Sequence, residues 1–160
     1  MDERTHQLYL SLGSNIEAEQ NLPRAVRLLR ENTQVVAVSH AWQSHAVGSH
    51  GPDFLNACVL AITSLSRQEF KEQVIRPIEV ALGRVRTQDK FAPRPIDIDI
   101  LFYDEEPFED FVHHAFVVVP LAEIAPELRH PLAYSQTMAS LAERLRSQTW
   151  IVPRLDVKLE

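Results

Sequence analysis

Asp97 and Asp99 stand two residues apart in Arg94-Pro95-Ile96-Asp97-Ile98-Asp99-Ile100-Leu101, alternating with isoleucines. In a strand this alternation sends Ile96, Ile98 and Ile100 to one side and both carboxylates to the other. A rise of ~3.3 Å per residue sets the two acids about 6.6 Å apart along the strand. Two such charges repel by roughly 2.5 kcal/mol at an effective dielectric of ~20, against about 0.6 kcal/mol in open water. A partly buried pair therefore needs a cation or a shared proton, and a solvated pair needs neither. Strand interiors are depleted in aspartate. Just upstream lie Arg84, Arg86, Lys90 and Arg94, opposed only by Asp89. Acids that bind a hard cation, beside arginines that bind phosphate oxygens, describe a magnesium–nucleotide site. A strand with one wet face that carries two aspartates is the competing description, and the pattern alone leaves both open.

Other chemistries find less support. Nothing matches the G-x-x-x-x-G-K-[ST] phosphate loop, and Leu12-Gly13-Ser14-Asn15 reads only as a tight turn. The seven histidines show no H-E-x-x-H spacing, and adjacent His113 and His114 would point to opposite faces of an extended chain. No serine nucleophile elbow is present. The single cysteine, Cys58, excludes an intramolecular disulfide and a cysteine zinc site, and its apolar neighbours predict a buried thiol. A formal net charge of −6 argues against a general nucleic-acid binder. With 45% hydrophobic and 24% charged residues in 160, the chain reads as one soluble globular domain over 1–160. No apolar run approaches the ~20 residues that span a bilayer, and the first residues lack a signal-peptide stretch. The expectation is a cytoplasmic protein, working as a monomer without membrane or nucleic-acid partners.

The elements that must position the acids follow from pattern. Leu8–Leu12 predicts a strand running into a turn, then a helix capped by Asn21 with Pro23 in its first turn and Ala25, Val26, Leu28 and Leu29 on its inner face. A second strand is expected from Val35 to about Ser44, and a third from Phe54 to about Ile62, after a loop over Gly48–Pro52. Ser66 with Glu69 forms a capping box opening a helix that ends before Gly83. A polar loop, Arg84–Pro95, precedes the acidic strand over Ile96–Phe102, and Phe116–Val119 predicts a further strand. Ser135–Arg146 has helical spacing, with Met138, Leu141, Ala142 and Leu145 on one face. This order predicts an α+β, ferredoxin-like sandwich: an antiparallel sheet with helices packed on one face.

Five segments in this order resemble the 6-hydroxymethyl-7,8-dihydropterin pyrophosphokinase family. They are Leu10-Ser11-Leu12-Gly13-Ser14-Asn15, Pro52-Asp53-Phe54-Leu55-Asn56-Ala57, Gly83-Arg84-Val85-Arg86, Pro93–Leu101 and, more weakly, Pro120–Leu128. The resemblance implies transfer of the diphosphate of ATP to the pterin's hydroxymethyl group, with attack on the β-phosphorus and AMP leaving, in tetrahydrofolate biosynthesis. It implies two magnesium ions held by Asp97 and Asp99, with ATP as co-substrate. Arg84 and Arg94 would act catalytically near the triphosphate, and Glu79, Arg86, Phe91, Ile100 and His114 would join them around the nucleotide. Phe54 and Phe116 would sandwich the pterin, Asn56 would read its polar edge, and Ser44 and Val47 would contact it through the backbone.

Two departures from the family pattern stand out. The segment Leu101–Ala115 is short and acidic, lacking a His-Pro pair and an arginine that touch ATP, with His114 about where the arginine would be. The loop after Ser44 is about one residue short and carries His45-Ala46 where prolines are common. A non-catalytic pterin-binding relic is the alternative these losses suggest; a two-metal nuclease or cyclase would explain the aspartates but not Asn56 with the aromatics.

Overall fold

Alternate side chains of His6–Ser14 (β1) are buried: Leu8, Leu10 and Leu12 are fully enclosed on one face, while Tyr9 and Ser11 turn to the other. That is the period-two pattern of a central strand with both faces in use. The computed structural model describes residues 4–47, 51–85, 88–89 and 92–159. β1 is flanked by Phe54–Thr63 (β4) on one side and Asp97–Tyr103 (β5) on the other, both antiparallel. Gln34–Val38 (β2) and Trp42–Ser44 (β3) both pair with β4, and the short Glu106–Pro107 (β6) and Ile151–Pro153 (β7) close the edges. The order is β6-β5-β1-β4-β3-β7, with β2 also on β4, which makes a seven-stranded sheet among the described residues. The expected α+β, antiparallel architecture is therefore present.

The expected second strand is two strands. It breaks at Ser39–Ala41, where Ser39 turns to β4: its N–H donates to the Cys58 carbonyl at 2.9 Å and its Oγ accepts from the Cys58 N–H at 2.9 Å. The break frees β3 to pair with β7 through its other edge.

Ala18–Asn32 (α1) packs Leu22, Ala25, Val26 and Leu29 onto the face of Leu8, Leu10 and Leu12. It starts three residues before Asn21, behind Glu17 in a left-handed conformation at φ 44°. Asn21 is thus not the cap: it is buried inside the first turns, and its Nδ2 donates to the Ile16 carbonyl at 2.7 Å. The capping box forms as its spacing predicts, with Ser66 and Glu69 bonding each other's backbone N–H at 3.1 and 3.0 Å. It opens Arg67–Phe70 (α2), which runs through a π-helical turn, Lys71–Ile75, into Arg76–Ala81 (α3). Pro77 explains the wide turn, because a proline has no N–H to continue the ordinary ladder and its ring crowds the carbonyl four residues back. Gly83 at φ +90° ends the helix, and the Arg84 N–H returns to the Glu79 carbonyl at 3.0 Å.

Helices cover both faces of the sheet, not one. Ala115–Ile124 (α4) and Met138–Gln148 (α5) pack on the side opposite α1, around Cys58, Leu101, Phe102, Phe111, Val118 and Leu121. The Phe116–Val119 run predicted as a strand lies in α4. Four apolar residues are compatible with either state. The run is helical because, pressed between sheet and α5, it is buried on nearly every side, which removes the polar stripe that marks a surface helix. α5 begins at Met138 rather than Ser135 because Thr137 Oγ caps the Ser140 N–H at 3.2 Å.

Candidate active site

The sheet register gathers the predicted residues. Asp97 lies opposite Gly13, and Gly13 opposite Asn56; one step along, Asp99 lies opposite Ser11. A single rung across β5, β1 and β4 thus joins the carboxylate strand to the asparagine. Around it opens a cavity of about 330 Å3 lined by Ser44, Val47, Phe54, Asn56 and Phe116, with Arg94, Asp97, Asp99 and His114 on the same surface. The five residues expected at the pterin, the two expected metal ligands and two of those expected at the nucleotide, Arg94 and His114, therefore share one concavity.

Gly13 makes the rung passable. A Cβ there would stand 3.5 Å from Phe54 Cδ1 and 3.6 Å from Asn56 Oδ1, inside the space those two groups frame. Expected in a tight turn, Gly13 is instead a strand residue whose missing side chain leaves room for a ligand. Asn56 is buried, and its Nδ2 donates to the Trp42 carbonyl at 3.0 Å and to Ser44 Oγ at 2.8 Å. Both amide hydrogens are thereby engaged with the protein. Oδ1 is the atom it presents to the cavity, so Asn56 offers an acceptor rather than both a donor and an acceptor. Phe54 and Phe116 are half-buried, and the His114 ring leans on Phe116 with centroids 5.1 Å apart.

The carboxylates sit in a demanding field. Burial pushes Asp99 up to about 7, and the neighbouring charges of Asp97 and Glu109 push the same way. Glu109 and Asp110 also line the cavity, so four carboxylates face Arg94 and His114. Among the described residues no three His, Cys, Asp or Glu side chains converge as a ready-made metal cage. Two hard oxygen donors in a repelling pair still fit a magnesium ion, which takes one or two carboxylates and completes its shell with phosphates and water.

Arg84 is engaged by two carboxylates of the protein itself. Its Nη1 donates to Glu79 Oε2 at 2.6 Å and to Asp97 Oδ1 at 2.7 Å, and its side chain is 10% exposed. Glu79 Oε2 also accepts the Ile98 N–H at 3.1 Å. The helix-end glutamate and Arg84 therefore brace the acidic strand and aim Asp97. Arg94 stands further off, with Nη1 at 3.6 Å from Asp97 Oδ2, and its guanidinium reaches the cavity. Ile100 packs with Leu8 and Leu10 in the first core, so its side chain faces away from the carboxylates. Arg86 and Phe91 lie outside the described residues.

Asn15 is a positioning residue that no sequence pattern marks as one. Its Oδ1 accepts the Arg94 N–H at 2.7 Å, its N–H donates to the Arg94 carbonyl at 3.1 Å, and its Nδ2 donates to the Pro52 carbonyl at 3.4 Å. It ties the end of β1 to the segments before β5 and β4. The acidic stretch is visible in the sequence, but its return to the cavity depends on a fold-back, with the Phe108 N–H donating to the Leu101 carbonyl at 2.9 Å.

The sequence model of the family described as 7,8-dihydro-6-hydroxymethylpterin-pyrophosphokinase matches residues 9–126. A 2-amino-4-hydroxy-6-hydroxymethyldihydropteridine pyrophosphokinase of Synechocystis sp. is 33% identical over 155 residues, covering 89% of this chain and 78% of its own. One from Methylorubrum extorquens is 43% identical over 133 residues, covering 75% of this chain and 83% of its own. Among solved structures, Plasmodium falciparum HPPK-DHPS with pteroate superposes with a TM-score of 0.70 at 13% identity. The superposition covers 92% of this chain but only 44% of that one, and at that identity the likeness is one of fold.

Proposed function

Because the chain belongs to the 7,8-dihydro-6-hydroxymethylpterin-pyrophosphokinase family, we propose that Asp97 and Asp99 hold the magnesium of its ATP beside a pterin bound by Phe54, Asn56 and Phe116. The enzyme is an ATP-dependent transferase of folate biosynthesis. It moves a diphosphate to 6-hydroxymethyl-7,8-dihydropterin: the hydroxymethyl oxygen bonds to the β-phosphorus, the bridge to the α-phosphate breaks, and AMP leaves with the bridging oxygen.

Bound magnesium supplies neutralisation of the phosphate charge, and the chain's residues supply position. Phe54 and Phe116 offer two aromatic faces for a flat heterocycle. Asn56 Oδ1 accepts from the ring's N–H edge, and Ser44 keeps that amide aimed through its bond to Nδ2. Arg84, locked between Glu79 and Asp97, fixes the direction of one carboxylate, so that little reorganisation remains when the nucleotide binds. Arg94 and His114 line the cavity and would meet phosphate oxygens, with Arg86, Phe91 and Ile100 proposed to complete the nucleotide side. No strong general base is required, since the hydroxyl proton can pass to solvent as the new bond forms. We place the reaction in the cytoplasm, with a single chain as the working unit, because one chain builds the cavity. No helix among the described residues is long and apolar enough to cross a membrane.

The observation that carries this reading is the rung Asp97–Gly13–Asn56, which sets the carboxylates and the amide side by side at one cavity. Phosphorus NMR tests it. ATP and the pterin should give AMP and the pterin diphosphate in equal amounts, with turnover stopped by chelating magnesium. Release of ADP, or turnover indifferent to the chelator, would overturn it.

A further inference from the structure

The Ser44–Val47 segment lines two cavities. One is the cavity with Phe54 and Asn56; the other, of about 420 Å3, is lined also by His113, Leu145, Gln148 and Trp150, and the two share His114 and Phe116. A wall that borders two cavities gains little from packing. Beyond Ser44, which pairs with Phe54 and Ile151, it has no core residue, and Val47 is 57% exposed. Beyond Ser44, the contacts that the described residues give it are made by His45. Its ring stacks on Trp150 with centroids 4.3 Å apart and planes 14° apart, and its Nδ1 meets Asp53 Oδ1 at 2.9 Å.

These two contacts are unequal. His45 is exposed and Asp53 half-buried, with side chains 68% and 36% accessible, and a polar contact this open to water is worth little. The aromatic stack adds area and a fixed direction. The Trp150 ring is 43% exposed, but its backbone is anchored, because Ile151 beside it is buried with α4 and α5 and pairs with Ser44. Asp53 is held in turn by Gln43 Nε2 at 2.8 Å, and Gln43 by Arg154 Nη1 at 2.9 Å.

We propose that Trp150 is a positioning residue for substrate recognition: stacked on His45, it sets where the Ser44–Val47 wall stands against Phe54 and Asn56. This rests on the assignment of that wall to the pterin. Trp150 lies outside the pterin cavity and touches neither it nor the carboxylates, so loosening it should relax the grip on one substrate alone.

The test is steady-state kinetics of Trp150→Ala, Trp150→Phe, His45→Ala and the double alanine variant. Trp150→Ala and His45→Ala should each raise the KM for the pterin about three- to tenfold, the range expected for one aromatic pair. The KM for ATP and kcat should hold within about twofold, the pattern of lost ground-state binding. The double variant should match either single one, and Trp150→Phe should recover most of the loss by keeping a ring on His45. An unchanged pterin KM in Trp150→Ala, or equal rises for both substrates, would overturn the inference. Should Trp150→Ala not fold, His45→Ala, at an exposed site, decides by the same two criteria. Asn56→Ala separates this failure from that of the pocket. If it too leaves the pterin KM unchanged, the pocket assignment fails, and this inference with it.

Discussion

Asp99 titrates far from its ordinary value of 3.8, being pushed up to about 7 first by burial and then by the charges of Asp97 and Glu109. Between those two pH values the folded, cation-free protein keeps a proton that the unfolded chain has released, so raising the pH across that window removes stability. The Tm of the cation-free protein should fall from about pH 4 to about pH 7 more steeply than that of Asp99→Asn. Equal slopes for the two proteins would contradict the assignment. Arg84 makes a second residue-scale prediction. Replacing it by alanine removes the guanidinium that buried Glu79 and half-buried Asp97 share, which should cost about 3 kcal/mol of stability in urea melts. A loss under about 1 kcal/mol would put it among ordinary surface pairs. Gly13 makes a third: Gly13→Ala places a methyl between Phe54 and Asn56 and should weaken pterin binding by about tenfold or more. ATP binding should hold, and equal losses for both ligands would contradict this. The acids are legible in the sequence because alternation with isoleucines fixes their face whatever the sheet around them. Gly13, Asn15 and the bracing role of Arg84 are not, since each depends on which strand or loop lies opposite.

Elements with a local chemical signal are legible, and those decided by packing are not. Ser66 and Glu69 form their box because both bonds lie within three residues, and Gly83 ends the helix through a backbone conformation that other residues rarely adopt. Ser66→Ala should therefore lower the Tm by about 2–4 °C without changing the KM of either substrate. An unchanged Tm would mean the helix start is held by packing alone. The Phe116–Val119 helix carries no such signal, because valines favour strands until tertiary burial on all sides overrides them. Phe116 thus sits on a helix instead of the expected strand, yet it still reaches the cavity because α4 starts beside it. The break at Ser39–Ala41 is hidden for a similar reason: it is made by Ser39 bonding to β4, across the sheet.

At the scale of the whole molecule, two cores back the sheet, and the chain's last stretch serves the first of them. After β7, Val157 and Leu159 return to the core beneath α1, and Arg154 reaches Gln43, Glu19 and Asp156 on the way. Removing residues 154–160 should cost roughly 3–6 kcal/mol, from the burial of two aliphatic side chains. A truncated protein with the wild-type urea midpoint would show that the tail only rests on the surface. The α+β class is legible from element order, and so is the apolar face of α5, but α4 is not, because a helix buried on nearly every side hides its pattern, and without it the second helical layer cannot be read. The central claim concerns how this fold brings a carboxylate pair and a pterin pocket together. It is tested most directly by measuring AMP from magnesium, ATP and 6-hydroxymethyl-7,8-dihydropterin, for the wild type and for Asp97→Asn/Asp99→Asn. The account predicts pterin-dependent AMP that falls about a thousandfold or more in the double variant, with pterin binding retained. A double variant that turns over like the wild type would contradict it.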